Sequence, residues 1–574
     1  MIRDKIVVQL KKTISQKSFK PEVFAPENEK FGHYSTNAAL RIARLKKENP
    51  LKVAEQIYSQ LMTRNLQLFE KIEIAPPGFI NFWISKDALD DELQSIIKLN
   101  EGYGKLDTLQ NKKVMVEFTD PNPFKEFHIG HLYSNIVGES ISRILEASGA
   151  NVKRANYQGD VGLHVAKALW GMMERMKKEK MTLAQLGRKT LAYRIKYMGQ
   201  AYAKGARAFD EDETAKLEII DLNKKIFALD REIKNLYGKG RRWSLEYFET
   251  LYRKLGTKFD FYYFEREVGR IGLELVKKYL KKGVFEVSQD AIVFPGEKYG
   301  LHRRVFVNSE GLPTYEAKEL GLAQRKYEDF KYDISIIVTG SEVIDYFKVL
   351  LCALHQINPQ LAEKAKHITH GMVRFSSGKM SSRTGNVVTA EALLDETKKR
   401  VLKIIQSSRN KIPKNKQAEL VEQIAVGSVK YSLLKGSLGQ DVVFDFDKSL
   451  TLTGDSGPYL QYTYARLKSV MRKAHGLPKK PDFLLLGSDA EKSIIRQLIY
   501  FPDALERATA LFETNIMTDY LFKLANALNY FYEKEPILKA EKPLRDNRLN
   551  LIHVATIVLE KGLRLLGIEA IEAM

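Results

Sequence analysis

The sequence predicts an α/β protein: a parallel sheet wrapped by helices, set between a small α+β N-terminal domain and an all-α C-terminal bundle. Three observations predict it. VMVEF (114–118), then apolar residues at Leu132, Ile136, Val137, Ile141, Ile144 and Leu145, then NVKRANY, read as strand, helix, strand. That is the unit of a parallel sheet. The first 108 residues mix helical stretches such as PLKVAEQIYSQLMTRN with strand-like KIEIAP and FINFWI. From about 390 onward nearly every stretch has helical spacing, as in PYLQYTYARLKSVMRKA and NRLNLIHVATIVLEKGLRLL.

Taken in order, the N-terminal MIRDKIVVQLKKTISQKSF flanks a short apolar stretch with basic residues. It lacks the long apolar core and cleavage site of a signal peptide and reads as a surface helix. GYGKLDT reads as a linker. Gly149 reads as the stop of the first central helix. Residues from about 170 to 290 are charged and largely helical, which suggests an insertion. Strand signals return at RRVFVNS, YDISIIVTG and HITHGMVRF. The expected boundaries are 1–108, 109–395 and 396–574.

Composition narrows the function classes. Hydrophobic residues make up 44%, enough for sizeable cores, and no apolar run reaches membrane-span length. The single Cys352 excludes an intramolecular disulfide and a cysteine zinc cluster. Its apolar setting, VLLCALHQI, reads as a buried inert thiol, and the expected location is cytoplasmic. Lysine and arginine number 92 against 71 acidic residues, a net +21 that suits a polyanionic partner. A generally basic surface is the alternative.

Two motifs carry chemistry. Asp120-Pro-Asn-Pro-Phe-Lys-Glu-Phe-His-Ile-Gly-His131 lies between the first central strand and its helix. His128 and His131 at a helix N-terminus present imidazole donors beside free backbone N–H groups, which favours phosphate, and Gly130 lets a flat ring approach. By themselves they are equally readable as ordinary surface or core histidines. Gly378-Lys-Met-Ser-Ser-Arg-Thr-Gly385 is a cationic, hydroxyl-rich loop suited to closing over a triphosphate; a solvated loop or phosphorylation site is its plain alternative.

Together, in this order and with strand-and-helix sequence between them, the motifs resemble the HIGH and KMSKS signatures of class I aminoacyl-tRNA synthetases. The first matches fully and the second reads KMSSR. The resemblance implies a Rossmann-type catalytic domain, activation of an amino acid by ATP with Mg²⁺, and transfer to tRNA. It implies that His128, His131 and Lys379 act on phosphates, with Lys125, Gly130, Met380, Ser381, Ser382 and Arg383 completing the ATP site.

The flanks narrow the resemblance to arginyl-tRNA synthetases. GHYSTNAALRIA, GFINFWIS, VEFTDPNPFKEFHIGH, NYQGDVG, RRWSLEYFETLYRKLGTKFD, DVVFDFDKSLTLTGDSGPYLQYTYARLKSV and the ending LEKGLRLLGIEAIEAM resemble that family in order. This implies arginine and tRNA(Arg) as partners, a monomer, and activation that requires tRNA. Glu117, Asn122, Tyr315 and Glu319 are the implied arginine contacts, and a guanidinium needs such acceptors. The resemblance also makes the C-terminal bundle an anticodon-binding domain, with Tyr459, Tyr462, Tyr464 and Arg466 offered for base stacking. Two positions depart from the family: Glu319 stands for aspartate, and Val343 for glutamine, with Glu342 or Asp345 as possible compensators. Other class I synthetases, a non-catalytic tRNA-binding paralogue and a general nucleotidyltransferase are the competing readings.

Overall fold

Alternating β-branched and aromatic residues place Val23–Phe24 (β1), Tyr34–Thr36 (β2), Phe69–Ala75 (β3) and Phe79–Ile84 (β4) in one antiparallel sheet, ordered β1-β2-β4-β3. The N-terminal helix Ile2–Thr13 buries Ile2, Ile6 and Leu10, spaced by one helical turn. The computed structural model describes residues 1–14, 18–63, 67–376, 388–407, 412–478 and 481–574.

Residues 1–108 and 451–574 form one compact unit, and residues 109–450 form another. In the first, the N-terminal sheet and the C-terminal helices share a core: Ile499 packs in the cluster that holds Tyr34, Ile57 and Phe82. Gly104, at φ +72°, sits where a Cβ would lie 2.3 Å from the Phe501 ring, so the linker needs a glycine there. Five helices of eight or more residues build the bundle: Gly457–Lys473, Asp489–Ile499, Phe501–Leu511, Asn515–Lys534 and Lys542–Leu565. Buried Arg548 ties Glu491 (2.7 Å) to Glu535 (2.5 Å) among them.

The second unit is built on five parallel strands: Lys113–Glu117 (β5), Asn151–Gln158 (β6), Phe261–Phe264 (β7), Ile334–Gly340 (β11) and Ala365–His370 (β12). Their order is β12-β11-β5-β6-β7. Successive strands run outward from β5 on one side, then resume at β11 on its other side. The order therefore reverses between β5 and β11, the place where parallel sheets open a crevice at their carboxyl ends. Glu286–Ser288 (β8), Ala291–Phe294 (β9) and Arg304–Val307 (β10) make a small antiparallel sheet. Val373–Phe375 (β13) pairs in parallel with Val442–Phe444 (β14).

Two details differ from the sequence reading. The stretch from 170 to 290 is helical through Leu255, but FYYF within it forms β7, an edge strand of the main sheet. Residues 396–450 belong to the sheet-bearing unit and not with the bundle. The helix Lys414–Leu434 buries most of its second half, and β14 completes the pair with β13. Among the described residues, no helix is long and apolar enough to cross a membrane.

Candidate active site

The chain leaves β5 through Thr119, Asp120 and Phe124, all at positive φ (80°, 43° and 69°), a conformation that non-glycine residues adopt at a cost. Side-chain bonds hold it there. Ser134 Oγ accepts from Thr119 N (2.9 Å), Ser244 Oγ accepts from Phe124 N (2.9 Å), and Asp120 Oδ1 accepts from Tyr157 N (2.8 Å).

This loop delivers His128 as the N-cap of the helix Ile129–Ala147. His128 Nδ1 accepts from the backbone N–H of Gly130 (3.1 Å) and His131 (3.4 Å), while His131 Nδ1 accepts from His128 N (3.3 Å). Ile129 N donates to Val388 O. The expectation of free backbone N–H groups is therefore corrected: the first ones are used within the chain, because the imidazoles themselves cap the helix. The two rings stack with centroids 3.5 Å apart. A Cβ on Gly130 would meet the His128 ring at 3.0 Å.

Both Nδ1 atoms act as acceptors, so each neutral ring carries its proton on Nε2. Burial, then the Lys125 charge, lowers the His128 pKa to about 4. Burial, His128 and Lys125 drive that of His131 well down. The pair is thus neutral at physiological pH, with two Nε2–H donors. Lys125 stacks over Tyr202 at 4.8 Å and makes no ion pair among the described residues.

A cavity of about 460 Å³ opens beside this motif, at the carboxyl ends of β5 and β11. Glu117, Asn122, Tyr315, Glu319 and Val343 all line it, as do Asp120, Glu265, Glu316 and Glu342. Three of these six acids are paired with bases. Glu117 pairs with Lys326 (2.5 Å), Glu265 with Lys318 (2.6 Å) and Glu316 with Arg304 (3.3 Å). Glu319 has no hydrogen bond or ion pair among the described residues. Burial and the Glu117 charge hold its carboxyl well above the usual carboxylate range. Asp120 is raised likewise, by burial and then Glu117. Among the described residues the cavity therefore has more acids than bases, and a cation entering it relieves that imbalance.

The two candidate compensators for Val343 separate. Glu342 lines the cavity, its carboxylate folded over Gly340, where a Cβ would lie 2.1 Å from it. Asp345 is exposed and pairs with Lys348 (2.8 Å) away from the lining. Gly378, Lys379, Met380, Ser381, Ser382, Arg383 and Gly385 lie outside the described residues. Cys352 is half-buried against the core of this unit, and burial raises its pKa.

The bundle needs a correction. Tyr459 and Tyr464 are buried and bonded inside it, to Asn526 Oδ1 and Glu560 Oε2 (both 2.9 Å). Neither ring is placed to stack on a base, because both face inward on Gly457–Lys473. Tyr462 and Arg466 remain half-buried. Arg466 lies over Tyr462 (4.6 Å) and Tyr532 (4.7 Å), and Tyr530 and Tyr532 are exposed. The sequence reading missed these last two. Their signal was present: they flank Phe531 off the apolar face of Asn515–Lys534. It also missed Tyr157, Glu265, Arg304 and Tyr346 in the cavity. Tyr157 and Gly159 were findable in NYQGDVG, at the carboxyl end of a strand. Glu265 and Arg304 carried no local signal.

The chain matches known families along nearly its whole length. Residues 92–446 match class I tRNA synthetases (R), catalytic domain; residues 460–574 match the DALR anticodon binding domain; residues 1–84 match the arginyl tRNA synthetase N terminal domain. It is 31% identical to an arginine–tRNA ligase of Treponema denticola, over 92% of this chain and 90% of that protein. It is 31% identical to one of Fusobacterium nucleatum, over 97% and 96%. Its fold superposes on the arginyl-tRNA synthetase of Thermus thermophilus with a TM-score of 0.83 at 23% identity, covering 100% of both chains. On that of Plasmodium falciparum the TM-score is 0.79 at 24% identity, covering 100% and 99%.

Proposed function

The chain belongs to the arginyl-tRNA synthetase family, and from that premise we propose how its own residues carry the reaction. It is an arginine–tRNA ligase of translation: arginine and ATP give arginyl-adenylate and pyrophosphate, and the arginyl group passes to the 3′-terminal ribose of tRNA(Arg), releasing AMP. The observation that best supports arginine as substrate is Glu319, a carboxylate without an ion pair among the described residues, in an acid-rich cavity beside two neutral histidines.

In activation the arginine carboxylate attacks the α-phosphorus. The new acyl–phosphate bond forms as the bond to the β-phosphate oxygen breaks, and that oxygen leaves with the electron pair. No proton need move, so positioning and charge neutralisation do most of the work. The guanidinium lies against Glu319 in the cavity, with Glu117 behind it, Tyr315 at the rim and Asn122 toward the α-amino group. Its positive charge favours ionised Glu319, so arginine binding weakens as pH falls through the raised pKa of that group. His128 and His131 donate from Nε2 to phosphate oxygens, and Lys125 adds a positive charge beside them. Lys379, with Met380, Ser381, Ser382 and Arg383, acts on the departing pyrophosphate.

Among the described residues no group of three or more His, Cys, Asp or Glu is placed to hold a metal. When bound together with ATP, Mg²⁺ would supply charge neutralisation at the phosphates, beside the positive charge of Lys125. Residues 1–108 make the N-terminal tRNA-contacting part and the C-terminal helices the anticodon-binding part, with Tyr462 and Arg466 as base contacts. The protein acts as a cytoplasmic monomer.

ATP–pyrophosphate exchange with each amino acid, with and without total tRNA, tests this. Exchange with arginine alone, dependent on tRNA, is the expected result. Exchange with another amino acid would overturn the specificity and keep the class.

A further inference from the structure

One neutral polar group of a residue lining the cavity is both buried and without a partner among the described residues: the hydroxyl of Tyr157. Tyr157 is the penultimate residue of β6 and is 8% exposed. It belongs to the buried cluster that also holds Met115, Ala155 and Tyr263, while its backbone N–H anchors Asp120 at 2.8 Å. Other neutral groups of the lining are committed or open to solvent. Thr339 Oγ1 bonds His367 Nε2 at 2.8 Å, and Tyr315 is exposed.

A buried hydroxyl without a partner costs on the order of 1–3 kcal/mol, and proteins rarely keep one without use. The electrostatic neighbours of this hydroxyl are Glu265, Glu319, Tyr346 and Glu117. It thus stands in the carboxylate shell, where it keeps its proton and serves as acceptor and donor at once. A guanidinium brings five N–H donors and no acceptor. The cavity meets those donors with carboxylates, but at Val343 it presents an apolar side chain.

We propose that Tyr157 is a specificity-determining residue for arginine: its hydroxyl oxygen accepts a guanidinium N–H alongside Glu319, supplying the neutral acceptor that Val343 does not. The inference rests on arginine being the substrate. A site that hydrogen-bonds its ligand this way discriminates by leaving its own polar atoms unpaired when the wrong ligand enters.

Tyr157→Phe removes the hydroxyl and keeps the ring. Arginine-dependent ATP–pyrophosphate exchange with tRNA present, and thermal unfolding without ligand, are measured on the full chain. We expect KM for arginine to rise about tenfold or more, as for a lost hydrogen bond to a charged group. KM for ATP should stay put, and the ligand-free Tm should stay the same or rise, because no internal bond is lost. An unchanged KM for arginine overturns the proposal, and so does a lowered Tm, which would reveal a structural partner for the hydroxyl. If the wild-type protein shows no exchange with arginine, the substrate reading itself has failed, and the inference falls with it.

Discussion

The cavity beside the histidine pair and the tyrosine-rich helix of the bundle both offer polar side chains at regular spacing, yet they put them to opposite uses. Around the cavity, charge is concentrated: Glu117 and Lys326 are both nearly fully buried, and Glu319 stands close by without an ion pair of its own among the described residues. On Gly457–Lys473 the polar ends of Tyr459 and Tyr464 are consumed by Asn526 and Glu560, which leaves the rings as packing. Buried polarity with no internal partner points to a ligand, whereas buried polarity that is fully paired points to architecture.

Substitutions can break this contrast. The largest effect is expected at the histidines. His128→Ala removes the helix cap and the proposed phosphate donor, and should lower kcat for arginine activation by on the order of 10²–10³. A kcat within twofold of wild type would remove the pair from the chemistry. Next comes Glu319→Gln, which removes charge at nearly constant shape. KM for arginine should rise on the order of a hundredfold with kcat less affected, read by the same exchange assay. An equal change in KM for ATP would mean that Glu319 shapes the whole site.

The pH profile sharpens the same contrast. The folded-state pKa of His128 is depressed to about 4, below the unfolded value of about 6.5. Its contribution to stability is therefore present above 6.5 and lost as pH falls toward 4. Titration of kcat/KM for ATP should show no histidine inflection between pH 6 and 7. An inflection there that vanishes in His128→Gln would contradict the neutral pair.

The smallest effects belong to the bundle. Arg466→Ala should raise KM for tRNA about tenfold, the scale of one stacked base, with amino-acid binding unchanged. Tyr464→Phe should cost about 1 kcal/mol of stability by denaturant titration and leave KM for tRNA alone. The reverse pattern would return Tyr464 to the nucleic-acid surface.

Legibility followed chain distance. His128, Gly130, Asn122 and Glu117 lie within one strand-loop-helix connection, so a few local dihedrals and caps set their relation; the motif exposed His128 and Gly130, and the family resemblance of its flanks pointed to Asn122 and Glu117. FYYF was hidden inside a helical stretch because four residues carry too little periodicity to mark an edge strand. The facing of Tyr459 against Tyr462 was hidden because a helix presents its sides by packing, and the partners, Asn526 and Glu560, come from other helices.

The sequence by itself determined the class of chemistry, the substrate family and the α/β plan, because those reside in contiguous motifs and in hydropathy periods that any fold of the chain must respect. Only the tertiary structure decided which acids are free. Glu117, Glu265 and Glu319 look alike along the chain. Two of them meet Lys326 and Lys318, the third has no ion pair among the described residues, and that difference arises from strands and helices brought together across long sequence separations, where a buried charge must find its counter-charge in space.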